Sequence, residues 1–171
     1  MILRPLDMND KKPAIQAQQE LALDNFTFLL NSFDVNEPWA NYIKRVNSAN
    51  REENLPVGYV PATFLVAEVD GQIVGRVSIR HRLNEILQKE GGHIGYGIRP
   101  EFRRRGFATE ILLGALEIAR ALGIEKALVT CDDANIASGK VIEKCGGVLE
   151  NMVELDNGEK LRRYWVATEP C

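Results

Sequence analysis

Ile98-Arg99-Pro100-Glu101-Phe102-Arg103-Arg104-Arg105-Gly106-Phe107-Ala108-Thr109 is the stretch that decides how this 171-residue chain reads. Before it, His93-Ile94-Gly95-Tyr96-Gly97-Ile98 reads as a strand, opened by Gly91-Gly92 and ended by Pro100. After it, Ile111, Leu112, Ala115, Leu116, Ile118 and Ala119 recur at helical spacing from Thr109 to Leu122, with Gly123 as the stop. A loop entering a helix leaves several N–H groups unpaired and aimed at one spot, where the helix dipole adds about half a positive charge. Phosphate is the natural guest of such a turn. Gly106 and Ala108 keep bulk away from a diphosphate, while Arg103, Arg104 and Arg105 can add charge-assisted bonds. Arg-rich turns at helix starts are also common as solvated surface, so the turn alone leaves both readings open. It lacks the Gly-Lys-Ser/Thr ending of a nucleotide-hydrolysing loop and the Gly-x-Gly-x-x-Gly of a dinucleotide turn.

Working outward, Phe64 to Val69 and Gln72 to Ile79 flank Asp70-Gly71, the signal of a type I′ hairpin. Residues 2 to 6 read as a short strand, and Asp10 as the cap of a helix carrying Ile15, Leu21 and Phe28. A second helical piece runs from Trp39 to Val46, and Asn47 to Thr63 is a polar, Pro- and Gly-bearing loop. Leu83, Ile86 and Leu87 have helical spacing, and Leu83 to Glu90 is longer than a tight hairpin needs, so it is expected to fold over an acceptor site. Lys126 to Cys131 reads as a buried strand and Asn135 to Lys144 as a helix closed by Gly146-Gly147. Val148 to Leu155 and Leu161 to Thr168 read as strands around Asp156-Asn157-Gly158. The order predicts an α/β layer fold with about seven strands, mostly antiparallel in one mixed sheet, and about four helices.

Composition narrows the partners. Lys plus Arg number 21 against 24 Asp plus Glu, a net charge of −3, which argues against a nucleic-acid binder or a polybasic membrane-surface protein. Cys131, Cys145 and Cys171 have neither disulfide-framework nor zinc spacing, so no metal is expected and a reducing cytoplasm fits. Met1-Ile-Leu-Arg-Pro does not read as a signal peptide, no stretch is apolar enough to span a membrane, and one domain over residues 1–171 is expected.

The motifs resemble a family. Arg103-x-x-Gly106-x-Ala108 between a strand and a helix is similar to the acyl-CoA motif of the GNAT superfamily of N-acetyltransferases. Asn135-Ile136-Ala137-Ser138, followed by Glu143-Lys144-Cys145-Gly146-Gly147, resembles the downstream helix of the same family. The resemblance implies that the parallel strands at residues 92 to 98 and 126 to 131 splay apart and admit the pantetheine arm of acetyl-CoA. It implies a pyrophosphate on the Arg103 to Ala108 turn, reaching Thr109, and backbone pairing of the arm at Ile98. Asn135, with Ser138, would hold the cofactor from the other side, although Asn135 reads equally as a helix N-cap. The implied reaction is direct acetyl transfer to a primary amine of a small molecule or peptide, through a tetrahedral intermediate.

A base is then needed to deprotonate the amine, and His93 and Glu90 are the nearest candidates, with a structurally satisfied His93 the competing reading. The tyrosine that often protonates the leaving thiolate in this family aligns with Ile142, so Tyr96 or Tyr164 would have to serve, although both also read as ordinary strand aromatics. Cys145 reads as a structural thiol. Arg76, Arg80, His81 and Arg82 form either a basic rim for an acidic acceptor or a solubility feature. Without the tyrosine, a non-catalytic acyl-CoA-binding or regulatory domain is the alternative, followed by a phosphate-binding or protein-interaction module with a fortuitous loop. A homodimer is the default for a small cytosolic enzyme.

Overall fold

A computed structural model describes residues 1–169, so Cys171 lies outside the described residues. The strands are β1 (Ile2–Arg4), β2 (Ala62–Val69), β3 (Gln72–Arg80), β4 (Ile94–Ile98), β5 (Lys126–Asp132), β6 (Val148–Glu154) and β7 (Lys160–Ala167). The helices are α1 (Lys11–Ala22), α2 (Trp39–Asn47), α3 (Glu85–Lys89), α4 (Phe107–Ala121) and α5 (Ile136–Lys144). One seven-stranded sheet has the order β1-β2-β3-β4-β5-β7-β6. All neighbours are antiparallel except β4 and β5.

The β2–β3 hairpin turns at Asp70 and Gly71, both at positive φ as the type I′ reading requires. Both faces of these strands are buried because helices cover each side. On one face α4 packs Ile111, Leu112, Ala115, Leu116 and Ala119 onto Val77, Ile79 and Ile94. Each large side chain there contributes roughly 1.5–3 kcal/mol through burial. On the other face α1 and α2 set Ala14, Ala17, Leu21, Tyr42 and Val46 against Phe64, Val66 and Ile73.

The first helix departs from its reading in two ways. Asp10 makes no capping bond to α1; its carboxylate takes Arg4 at 2.7 and 2.9 Å and the Asp7 N–H at 2.8 Å. Asp7 caps the preceding 3-10 turn instead, with Asp10 completing its capping box. The helix stops at Ala22, so Phe28 is buried from a loop that doubles back, its N–H held by Gln18 Oε1 at 2.8 Å. Among the described residues no helix is long and apolar enough to cross a membrane.

Candidate active site

Among the described residues the β4–β5 pair is the only parallel contact in the sheet, and it has a single register position, Ile94 opposite Val129. Beyond it the strands diverge and open a gap. The ladder to β3 runs from the Arg80 N–H on His93 O (2.7 Å) to the Arg99 N–H on Val74 O (2.9 Å). Antiparallel alternation therefore turns the backbone of Gly95 and Gly97 towards β3, and that of Tyr96 and Ile98 into the gap. One of the gap-facing groups is already taken, because Ile98 O accepts from Arg103 Nε at 3.1 Å.

The turn at the end of the gap is built as the sequence suggested. Arg104 (φ 62°) and Gly106 (φ 86°) are both left-handed, and the N–H groups of Arg104 to Ala108 find no acceptor among the described residues. Thr109 and Glu110 already donate to Gly106 O. A Cβ at Gly106 would meet nothing within 4 Å, so no neighbouring atom crowds the turn at this point. Donors of this kind suit a pyrophosphate. The three arginines divide, which the sequence did not show. Arg103 turns back to Asp24 at 2.6 Å, an exposed pair worth under about 1 kcal/mol, while Arg104 and Arg105 are exposed at the turn.

Across the gap, Asn135 is the N-cap of α5, its Oδ1 accepting the Ser138 N–H at 3.0 Å. Its side-chain N–H groups are left for another partner. Tyr96 reaches from β4 to this helix, its hydroxyl 3.1 Å from Ser138 Oγ. Burial pushes the Tyr96 pKa up to about 12, so the phenol keeps its proton throughout the neutral range. Tyr164 is elsewhere: it is buried and donates to Glu143 Oε1 at 3.1 Å. Ile142 is fully buried in the core. Cys131 is buried and its thiol pushed up to about 11, while the half-buried Cys145 points its thiol at Thr109 O (4.0 Å). Neither has the environment of a nucleophile.

His93 lies where the gap begins, with its lone pair already engaged. Its N–H donates to Leu128 O at 2.7 Å, and the Leu128 N–H donates back into His93 Nδ1 at 2.9 Å. The ring nitrogen replaces a backbone carbonyl at this junction, which fixes the ring proton on Nε2. Burial, with the charge of Arg80, holds its pKa below the usual histidine value. Glu90 is the C-cap residue of α3. That short helix is capped by Asn84 Oδ1, exposes Ile86, and is tied by Asn84 Nδ2 to Gly58 O at 3.1 Å.

Contacts from the N-terminal half are the ones that sequence reading missed. Arg99 is buried and grips Glu20 with two bonds of 2.8 Å and Ile73 O with one of 2.9 Å, which holds the Glu20 carboxyl below its usual range. Phe26 lies on Gly97, where a Cβ would come within 2.5 Å of its ring. Gly97 thus has a reason: the loop after α1 packs directly on the strand there.

The acetyltransferase (GNAT) domain family matches the chain over residues 1–148. Among solved structures, yncA from Salmonella typhimurium, solved with its cofactor acetyl-CoA, has 16% identity and a TM-score of 0.64 over 99% of this chain and 95% of its own. A ribosomal-protein-alanine N-acetyltransferase from Brucella melitensis has 19% identity and a TM-score of 0.68, covering 98% and 99%. A point variant of the spermidine N-acetyltransferase SpeG from Vibrio cholerae has 17% identity and a TM-score of 0.65, covering 98% and 95%. No curated protein matches the chain. At such identities these likenesses are ones of fold.

Proposed function

The chain belongs to the GNAT acetyltransferase family, and from that premise we propose that it moves an acetyl group from acetyl-CoA to a primary amine. The observation that carries this is the continuous row of unpaired N–H groups from Arg104 to Ala108, set at the end of a gap whose β4 edge is itself unpaired. Acetyl-CoA brings a pyrophosphate to the first, an amide-bearing arm to the second, and an activated thioester carbonyl for the amine to attack.

The residues then divide the work. The turn binds the diphosphate through backbone donors, with Arg104 and Arg105 adding charge. The gap-facing N–H groups of Tyr96 and Ile98 take up carbonyl oxygens, and an oxyanion placed there gains from donors that need no reorganisation. Asn135 contributes its side-chain N–H groups from the opposite wall. Tyr96 holds a proton on its hydroxyl, which it gives to the departing thiolate, and Ser138 Oγ donates a hydrogen bond to the phenolate left behind. His93 shapes the gap by holding Leu128 and is a positioning residue. The amine proton leaves to water. We place the protein in the cytoplasm, as one domain over residues 1–171.

The purified protein at a ligand concentration about 100 times Kd gains about 2.7 kcal/mol. A rise in Tm with acetyl-CoA and CoA, and none with ATP or NAD, is expected, together with thiol release when amines are added. No shift with either CoA species overturns the proposal. The buried Ile142, where a tyrosine often stands in this family, favours a second reading, a non-catalytic acyl-CoA-binding domain. A Tm shift without thiol release from any amine decides for that one.

A further inference from the structure

Two guanidinium groups lie at the start of the gap with no carboxylate against either one among the described residues. Arg76 is 4% exposed and lies over the Phe26 ring at 4.3 Å. It spends Nη1 on Gly95 O (2.9 Å) and Nη2 on Thr27 O (2.5 Å), and its buried Nε has no partner. Arg80, half-buried, gives only Nη1 to Gly91 O (2.9 Å) and Gly92 O (3.3 Å). Both flank Gly95: a Cβ there would lie 3.4 Å from Arg80 Nη1 and 3.9 Å from Arg76 Nη1. Arg4, Arg45, Arg82, Arg99 and Arg103 show the contrast, since each has an acidic partner, and Arg51, Arg104 and Arg105, which have none among the described residues, are exposed to solvent. Buried like charges without a counter-ion are costly and call for an anion.

Their position says which anion. Gly95 is the first residue of β4 beyond its pairing with β5, and its neighbour Tyr96 turns the opposite way, towards α5. The Tyr96 face of the gap is covered by α4 and α5. On the other face Gly95 offers no side chain, which leaves an approach to the gap directly beside the two cations. We propose that the acceptor is an amine that also carries a carboxylate, an amino acid, whose carboxylate pairs with Arg80 backed by Arg76 while its amine lies over Gly95 at the gap. An α-amino acid keeps the two groups on one carbon, matching a cation site immediately beside the gap. The same positive field disfavours the acceptor's ammonium form and helps to release the attacking lone pair. A polyamine is repelled.

This proposal rests on the acetyl-CoA-dependent N-acetyltransferase reading. It is tested on the full chain with acetyl-CoA, measuring release of the CoA thiol with each of the standard L-amino acids, its carboxamide, or spermidine as acceptor. At least one amino acid is expected to exceed its carboxamide in kcat/KM by about 10- to 100-fold, the range for a charge-assisted bond. Arg80→Gln is expected to abolish that ratio with acetyl-CoA affinity unchanged, and Arg80→Lys to restore part of it. Turnover of carboxamides or spermidine at rates equal to or above those of amino acids overturns the carboxylate assignment and leaves acetyl transfer standing. A ratio that survives Arg80→Gln, or acetyl-CoA binding without turnover of any member, overturns it likewise. Absence of acetyl-CoA binding overturns both readings.

Discussion

His93→Ala removes the acceptor of the Leu128 N–H, and Leu128 has no solvent exposure, so water does not replace the ring nitrogen. Leaving a buried donor unsatisfied costs about 1–3 kcal/mol. At about 2–4 °C per kcal/mol for a domain of this size, the Tm falls by about 2–12 °C. His93→Asn separates the roles, because Asn Oδ1 occupies nearly the place of Nδ1, accepts the same N–H, and does not titrate. Burial first, and then Arg80, lower the His93 pKa in the fold, whereas the unfolded chain binds its proton near about pH 6.5. Acidification therefore protonates the unfolded state first. Stability is full above about pH 6.5 and is lost as the pH falls from there towards the lower folded value. His93→Asn lacks this acid-side loss while keeping a near-parental Tm at neutral pH. The assay is Tm across about pH 5 to 8 with kcat for acetyl transfer at neutral pH. A fall in kcat of about 100-fold or more in His93→Asn, the size of a lost general base, with Tm and acetyl-CoA affinity unchanged, refutes the positioning role.

Gly106→Val places a branched side chain at φ 86° within the donor row, and it is expected to raise the acetyl-CoA Kd at least about ten-fold more than Arg104→Ala, which loses one exposed charge. Titration calorimetry compares them, and equal effects contradict a backbone cradle. Tyr96→Phe is expected to lower kcat with acetyl-CoA affinity intact, since the hydroxyl it loses meets only Ser138 among the described residues and the proposal gives it no part in holding the cofactor; an unchanged kcat removes the proton role. Asn135→Ala loses the cap of α5 and about 0.5–2 kcal/mol of stability. Asn135→Asp keeps the cap, so weaker acetyl-CoA binding in that variant reports on the side-chain N–H groups, and unaltered binding confines Asn135 to the helix.

Much of the sheet could be read directly because its signals are local. Asp70-Gly71 fixes a hairpin within its own few residues, and the apolar stripe of α4 together with Gly123 bounds a helix. The donor row was legible for the same reason: a helix start after a Pro-terminated strand exposes its amides wherever it occurs. What could not be read depends on partners far away in sequence. Arg103 was assigned to phosphate with its two neighbours, yet its guanidinium is claimed by Asp24 and Ile98 O. His93 read equally as a base or as a structurally satisfied histidine, and the contact that engages its Nδ1 comes from Leu128, which is 35 residues distant. Asp10 carries a cap residue's signature, and a salt bridge to Arg4 outcompetes the cap. Glycines in β4 suggested a close approach without saying by what: Gly97 meets Phe26, from a loop with no periodicity of its own, and Gly95 meets Arg80 and Arg76 of β3.

That segment connects the two sides of the site. Glu20, Asp24, Phe26 and Thr27 lie within one stretch at the end of α1, and they receive Arg99, Arg103 and Arg76 respectively by ion pair, ion pair, and combined ring and carbonyl contact. Arg99 and Arg103 belong to the approach to the donor row, whereas Arg76 belongs to the cationic pair beside Gly95. The pairs are unequal in strength. Arg99 is buried, bidentate to Glu20 and also paired with Glu101 at 3.0 Å, while the Arg103 pair is exposed and weak. The end of α1 is therefore fixed chiefly at Arg99, and the loop beyond it hangs from that point across the bare face of β4. Its anchor, Arg99, is the residue that leads into the Arg103 to Ala108 turn. The donor row and the Gly95 face of β4 are thus tied to the end of α1 through Arg99 and Glu20, so on the proposed reading the N-terminal helix takes part in the site.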